Sequence, residues 1–292
     1  MCLWLQPPKY QRTSNVVYGR NADIDLTLDV FTPEHEKNGI GVIAVAGAGW
    51  KSGPQLVQPI FYHELIRRGY TVFAVVHRSQ PEFTIPEIVD DTQRAVRFVR
   101  YNAKTYGIDA DRIGIFGASS GGHLALMQGT GGDDGNPEAS DSVERVSSRV
   151  QAVGSFYAPT DMLNYGAEGR NLVNPNMDPA FAPAFRYRVF DKEKNQFVRI
   201  TDEKNCREIT RRISPITHVN AASAPVLFLH GDADELVPLQ QSEIMVASLK
   251  KAGVPVKLIV WKGVRHGDMW TSYTHLSHVA DWFDMHLVNN GR

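Results

Sequence analysis

The feature that most constrains this chain is a repeated alternation of short apolar runs and helical patterns. Gly41–Ala46, Tyr70–Val76, Arg112–Phe116, Val150–Phe156, Pro225–Leu229 and Val256–Trp261 are near-continuous apolar stretches rich in Val and Ile. A strand with one wet face alternates apolar and polar residues, whereas a run apolar throughout suits a strand covered on both faces, as in a parallel sheet. Between these runs, Ile60–Arg68, Ile88–Tyr106, Gln241–Ala252 and His275–Leu287 read as helices. The second carries Ile88, Val89, Ala95, Val96, Phe98 and Val99 at helical spacing, with charges on its other face. Strand and helix in alternation predict an α/β fold, a mostly parallel central sheet flanked by helices and joined by right-handed crossovers. Ahead of it, Val16–Tyr18 and Ile24–Phe31 read as an antiparallel pair, because Ile24, Leu26, Leu28 and Val30 alternate.

One stretch breaks the alternation. From Met162 to Arg212 there are Gly and Pro clusters, aromatics and charges but no clear crossover helix. Asn171–Asn176 and Phe181–Phe185 are loop-like. An excursion of this length is either a lid over a site or a disordered insert. Its aromatics (Tyr165, Phe181, Phe185, Tyr187, Phe190 and Phe197) favour a packed lid. Residues 1–292 therefore read as one domain with a lid or cap insertion at 162–212.

Composition narrows the partners. The 292 residues are 42% hydrophobic and 22% charged, with a net charge of −1. No block of Lys and Arg stands out, so the electrostatic footprint of a nucleic-acid binder is missing. The two cysteines, Cys2 and Cys206, are too few for a disulfide framework. No apolar run approaches the length needed to span a bilayer. Met1–Pro8 is a short apolar stretch without a basic leader, so the chain as written reads as cytoplasmic; a chain whose leader had been removed would be exported and would look the same.

The strongest chemical signal is Gly117-Ala118-Ser119-Ser120-Gly121-Gly122, lying directly after the strand Arg112–Phe116 and opening the helical segment His123–Met127. A strand-to-helix turn of this kind holds a nucleophile in strained geometry with its hydroxyl exposed, and it needs small residues two before and two after. Two serines compete. Gly117 and Gly121 flank Ser119 symmetrically, whereas Ser120 has Ala118 and Gly122, which favours Ser119. A tight Gly/Ser turn capping an ordinary helix is the plain alternative. Together with His123, this Gly-x-Ser-x-Gly-Gly-His pattern resembles the esterase branch of the α/β-hydrolases, the bacterial feruloyl and acetyl esterase-like group, and the catalytic domain of prolyl oligopeptidases shares much of it. The resemblance runs from Val16 to Leu287 and is weakest over Met162–Arg212.

A serine hydroxyl is a poor nucleophile until a base takes its proton, and the base needs a carboxylate to fix its tautomer. The stretch His230-Gly231-Asp232-Ala233-Asp234-Glu235-Leu236-Val237-Pro238 resembles the family's His-Gly-x-x-Asp-x-x-Val-Pro, which implies Asp234 as the acid, with Asp232 and Glu235 as rivals. Lys262-Gly263-Val264-Arg265-His266 follows the last apolar run and offers His266 as the base, in the chain order Ser, Asp, His. His123 and His230 are expected to be structural. His275 and His278 are three apart but lack a third ligand, so no metal is expected, and no organic cofactor is implied.

Ala46-Gly47-Ala48-Gly49-Trp50 stands where related esterases carry His-Gly-Gly-Gly, often followed by Trp. Carried over, the oxyanion donors are the amides of Ala48, Gly49 and Ser120. The leading histidine is absent, and Ala48 must avoid positive φ. Trp50, Tyr157, Phe181 and Phe185 are the candidate substrate-binding residues. The leading expectation is a serine hydrolase acting on small-molecule carboxylic esters of short-chain or aromatic acids through an acyl-enzyme. Alternatives are a serine peptidase of prolyl oligopeptidase type and an inactive binding protein on the same fold. The peptidases that share this motif add a large N-terminal gating domain, whereas here only the two short strands precede the first apolar run.

Overall fold

The computed structural model describes residues 7–21, 24–172, 181–268 and 273–288. Cys2 and the Val173–Asn176 part of the loop-like stretch lie outside them. The strands are β1 (Tyr10–Asn21), β2 (Ile24–Pro33), β3 (Gly41–Val45), β4 (Thr71–Val75), β5 (Ile113–Ala118), β6 (Ala152–Phe156), β7 (Arg188–Asp191), β8 (Gln196–Arg199), β9 (Val226–Gly231) and β10 (Val256–Trp261). The helices are α1 (His63–Arg67), α2 (Ile85–Tyr101), α3 (Ala103–Tyr106), α4 (Ser120–Gly131), α5 (Glu203–Arg212), α6 (Gln240–Lys251) and α7 (Tyr273–Phe283).

Eight strands form one sheet in the order β1-β2-β4-β3-β5-β6-β9-β10. β1 and β2 join antiparallel, and every pair from β4 to β10 is parallel. The apolar runs of the inner strands have the predicted cause: alternate side chains enter opposite cores. Ile43, Val45, Phe73, Val75 and Val153 pack with α2, α4 and α6 on one face. Val42, Ala44, Val72, Ala74 and Ala152 pack with α1 and α7 on the other. β10 differs from expectation: as the edge strand it is only half-buried, and Val260 is exposed.

The 162–212 excursion contains more regular structure than its sequence suggests. β7 and β8 form a small antiparallel hairpin, and α5 follows it. The helix escaped periodicity because its sequence, Glu-Lys-Asn-Cys-Arg-Glu-Ile-Thr-Arg-Arg, buries only Thr210 fully. Its start is signalled instead by Asp202, whose carboxylate accepts the Asn205 amide at 2.8 Å. The aromatics divide. Phe185 and Tyr187 are buried, while Phe190 and Phe197 meet edge to face on the outside of the hairpin.

Where the chain leaves β4, Arg78 forms a buried ion pair with Asp91 of α2 at 2.7 Å, and Asp91 also accepts the Arg78 amide at 2.9 Å. Arg78 donates further to the Glu87 carbonyl at 2.9 Å, so one guanidinium ties strand exit to helix start. Removing one partner of such a pair strands a buried charge. Asp91→Ala should therefore lower the unfolding free energy in urea by about 3–5 kcal/mol. An unchanged midpoint would show that this clamp contributes nothing.

Candidate active site

Ser119 sits between β5 and α4 with φ 52° and ψ −120°, outside the regions ordinary residues favour. The chain doubles back so tightly that a side chain on Gly117 would stand 2.4 Å from the backbone of Gly121, and one on Gly121 would stand 2.9 Å from the Val45 carbonyl. Both positions must be glycine, the condition the sequence pattern implied. The Ser119 amide donates to the Phe156 carbonyl at 2.9 Å, tying the turn to β6.

Beyond β10, His266 comes back to this turn. Its Nε2 lies 3.1 Å from Ser119 Oγ, and its Nδ1 lies 2.8 Å from Asp234 Oδ2. A carboxylate can only accept, so Nδ1 carries the proton and Nε2 is left to accept the serine hydroxyl. Asp234 follows β9 and is buried. Its Oδ1 accepts the amides of Leu236 at 3.0 Å and Val237 at 2.8 Å. His230 Nε2 stands 3.3 Å from Oδ2. Burial pushes the Asp234 carboxyl towards neutrality, but the bonds from His230, His266 and Val237 outweigh it and hold its pKa well below the usual carboxylate range. The structure thus brings Ser119, His266 and Asp234 into one hydrogen-bonded chain. The rivals lie elsewhere: Ser120 begins α4, and Asp232 accepts the Gly263 amide.

His123 and His230 have the structural positions expected. His123 accepts from Trp50 Nε1 at 3.2 Å and donates to the Ile213 carbonyl at 2.7 Å, and burial lowers its pKa to about 4, so it is neutral. His275 and His278 both pack their rings on Trp261.

The oxyanion loop departs from expectation at Ala48. Its amide donates to the Lys51 carbonyl at 2.9 Å and its carbonyl accepts the Lys51 amide at 3.0 Å, closing a two-residue turn. Ala48 is therefore committed to the turn and is not a free donor. Positive φ falls on the two central residues instead, Gly49 at 58° and Trp50 at 56°. Among the described residues the Gly49 amide has no acceptor, and the Ser120 amide opens α4, where helix geometry leaves it unpaired.

A cavity of about 610 Å³ opens over Ser119 and His266. Tyr157 and Phe181 line it as expected. Trp50 and Phe185 do not line it; they are buried beneath, with ring centroids 5.4 Å apart edge to face, and hold the loop from behind. Tyr157 has φ 35° and sets its ring edge-on to His266 at 4.6 Å. The wall that sequence reasoning missed is Leu56, Gln58, Phe61 and Tyr62, on two short turns before α1. Pro54 and Pro59 open these turns and were the available signal.

This sheet, with a serine at a strained strand-to-helix turn and an acid and base on later strand-end loops, defines an α/β-hydrolase. The chain belongs to the BD-FAE family, which its residues 28–249 match. It is similar to the probable carboxylic ester hydrolase LipM of Mycobacterium tuberculosis, at 27% identity over 83% of this chain and 50% of LipM. It is also similar to the probable isoprenylcysteine alpha-carbonyl methylesterase ICME of Oryza sativa subsp. japonica, at 25% identity over 88% of this chain and 58% of that protein. The chain spans about half the length of the curated relatives it matches. Among solved structures, a truncated carbohydrate esterase from gut microbiota shares the fold with a TM-score of 0.76 and 24% identity, covering 97% of this chain and 99% of that one. An acetyl ester-xyloside bifunctional hydrolase from Caldicellulosiruptor lactoaceticus aligns with a TM-score of 0.69 and 26% identity, over 93% of each chain. No helix among the described residues is long and apolar enough to cross a membrane.

A carboxyl with a depressed folded-state pKa adds stability above its unfolded value, near ~3.9, and loses it as pH falls towards the folded value. Asp234→Asn should accordingly melt below the parent protein at neutral pH, with the gap closing as pH drops below about 4. A gap independent of pH in thermal melts would show that these bonds do not favour the charged form.

Proposed function

We propose that this chain hydrolyses carboxylic esters through an acyl-enzyme on Ser119. The observation that carries this is the hydrogen-bonded chain from Ser119 through His266 to Asp234 at the floor of an apolar cavity. As Ser119 Oγ attacks the ester carbonyl, His266 Nε2 takes its proton. Asp234 fixes the ring's orientation and stabilises the imidazolium. The developing oxyanion lies between the amides of Gly49 and Ser120, the latter at the positive end of α4. His266 then protonates the leaving alcohol, and water repeats the sequence on the acyl group.

The cavity supports an apolar acyl group of short or aromatic kind, since Leu56, Phe61, Tyr62, Phe116 and Phe181 line it. The names of LipM and of the acetyl ester-xyloside hydrolase agree with ester chemistry. The 162–212 excursion acts as a partial lid through Phe181, which stands over Gly49. The rest of the roof comes from the turns before α1.

Ser119→Ala should lower ester turnover by about 10⁴-fold or more with little change in melting temperature. Ser120→Ala should stay active, because its contribution comes from its amide. A fluorophosphonate should label the peptide carrying Ser119; full activity in Ser119→Ala, or label on Ser120, would overturn the assignment.

Substrate preference is tested by comparing nitrophenyl acetate, nitrophenyl butyrate, methyl ferulate and a prolyl dipeptide anilide. A higher kcat/KM for the anilide than for every ester would move the protein to the peptidase class. Phe181→Ala should change the ranking among acyl groups more than it changes stability, and an unchanged ranking would remove Phe181 from the pocket.

A further inference from the structure

The oxyanion loop has an unusual support. The Ala48–Lys51 turn has both central residues at positive φ, the type I′ arrangement. Gly49 adopts this conformation freely, but Trp50 has a Cβ and is strained by it. Flipping the central peptide would convert the turn to type II′, in which only the first central residue needs positive φ. Such a flip relieves Trp50. It also swings the Gly49 carbonyl and Trp50 amide through a half-turn, directly beside the Gly49 amide.

The segment leaving β4 opposes that flip. The Gln80 amide donates to the Trp50 carbonyl at 3.0 Å, and Gln80 Nε2 donates to the Gly49 carbonyl at 3.2 Å. Ser79 Oγ accepts the Ser52 amide at 2.8 Å and donates to the Ser52 carbonyl at 3.1 Å. Ser52 Oγ in turn donates to the Ala46 carbonyl and accepts the His77 amide at 3.3 Å. The His77 ring is buried against Gly47, where an added Cβ would come within 2.7 Å of its Nε2. Every one of these contacts joins residues 77–80 to the loop 46–52 or braces that loop internally. Of these contacts, the one from the Gln80 carboxamide acts on the peptide that would flip.

We infer that Gln80 is a positioning residue for the oxyanion loop, holding the Gly49–Trp50 peptide in its orientation. The inference rests on the ester-hydrolase reading of the site. Gln80 lines the cavity, but its role here acts through the loop: it keeps a carbonyl out of the place where negative charge develops.

The test uses Gln80→Met, similar in length but without a donor, and Gln80→Glu, whose carboxylate cannot donate to a carbonyl. Each is assayed for kcat and KM on nitrophenyl butyrate and for the rate of Ser119 phosphonylation, since the phosphonate oxygen also enters the oxyanion site. In both variants kcat should fall by about 10- to 10²-fold, with KM within about twofold, and phosphonylation should slow in parallel. Unchanged kcat in either folded variant would overturn the inference, as would a raised KM with kcat intact, which would make Gln80 a substrate contact. Loss of folding in both would overturn it too, making Gln80 a general structural residue. A parent protein that neither hydrolyses esters nor labels at Ser119 would defeat the hydrolase reading instead. A parent that does both, with variants that match it, defeats this inference alone.

Discussion

The left-handed backbone of Ser119 is the constraint on which the rest of the site depends. A non-glycine residue at φ 52° and ψ −120° costs about 1–3 kcal/mol and persists only where its surroundings over-determine it. Those surroundings are specific. Gly117 and Gly121 permit the doubling back, β6 receives the Ser119 amide, and β5 and α4 are buried almost throughout. The turn presents the Ser119 hydroxyl to the cavity and leaves the Ser120 amide unpaired at the start of α4. Both consequences follow from one turn.

Everything else arrives at that turn by parallel topology. In a parallel sheet all strands end on the same edge, so the loops after β3, β5, β6, β9 and β10 share a neighbourhood although they are far apart in sequence. The loop after β3 brings the Gly49 amide, and that after β6 brings Tyr157. The loop after β9 brings Asp234, and that after β10 brings His266. Asp234 stays charged despite burial because two histidines and two amides converge on its oxygens. One of these histidines, His230, is the second-last residue of β9. Its Nδ1 meets Ser242 Oγ at 2.8 Å, and its Nε2 lies 2.9 Å from the Val237 carbonyl, so its orientation is set from α6 and from the acid loop together.

Where sequence reasoning failed, the cause is physical in each case. Helix α5 places only two apolar residues, Cys206 and Ile209, against the core, a stripe too short for periodicity to find. Trp50 and Phe185 were expected to meet substrate because aromatics near a site often do. Their rings are buried instead, Trp50 packed on Phe185 and His123, and Phe185 also on Tyr187. Ala48 was expected to donate to the oxyanion, but a two-residue turn consumes its amide, and a motif says nothing of how a loop closes on itself. The cavity wall at Leu56–Tyr62 overlaps the stretch Ile60–Arg68 that reads as helix; prolines at 54 and 59 instead open two short turns that bring Leu56, Phe61 and Tyr62 to the cavity over Ser119.

What the sequence determined by itself was the set of local conditions. Apolar runs required strands covered on both faces, glycines at 117 and 121 permitted the sharp turn, and His230 to Pro238 carried an acid at a strand end. These are properties of neighbouring residues, governed by sterics and burial that act over a few positions. Which amides remain free, which aromatics face the cavity, and how residues 77–80 brace the loop 46–52 were decided only by tertiary structure. Hydrogen-bond donors are claimed by whichever acceptor the fold brings within about 3 Å, and that competition is settled between segments that sequence alone leaves apart.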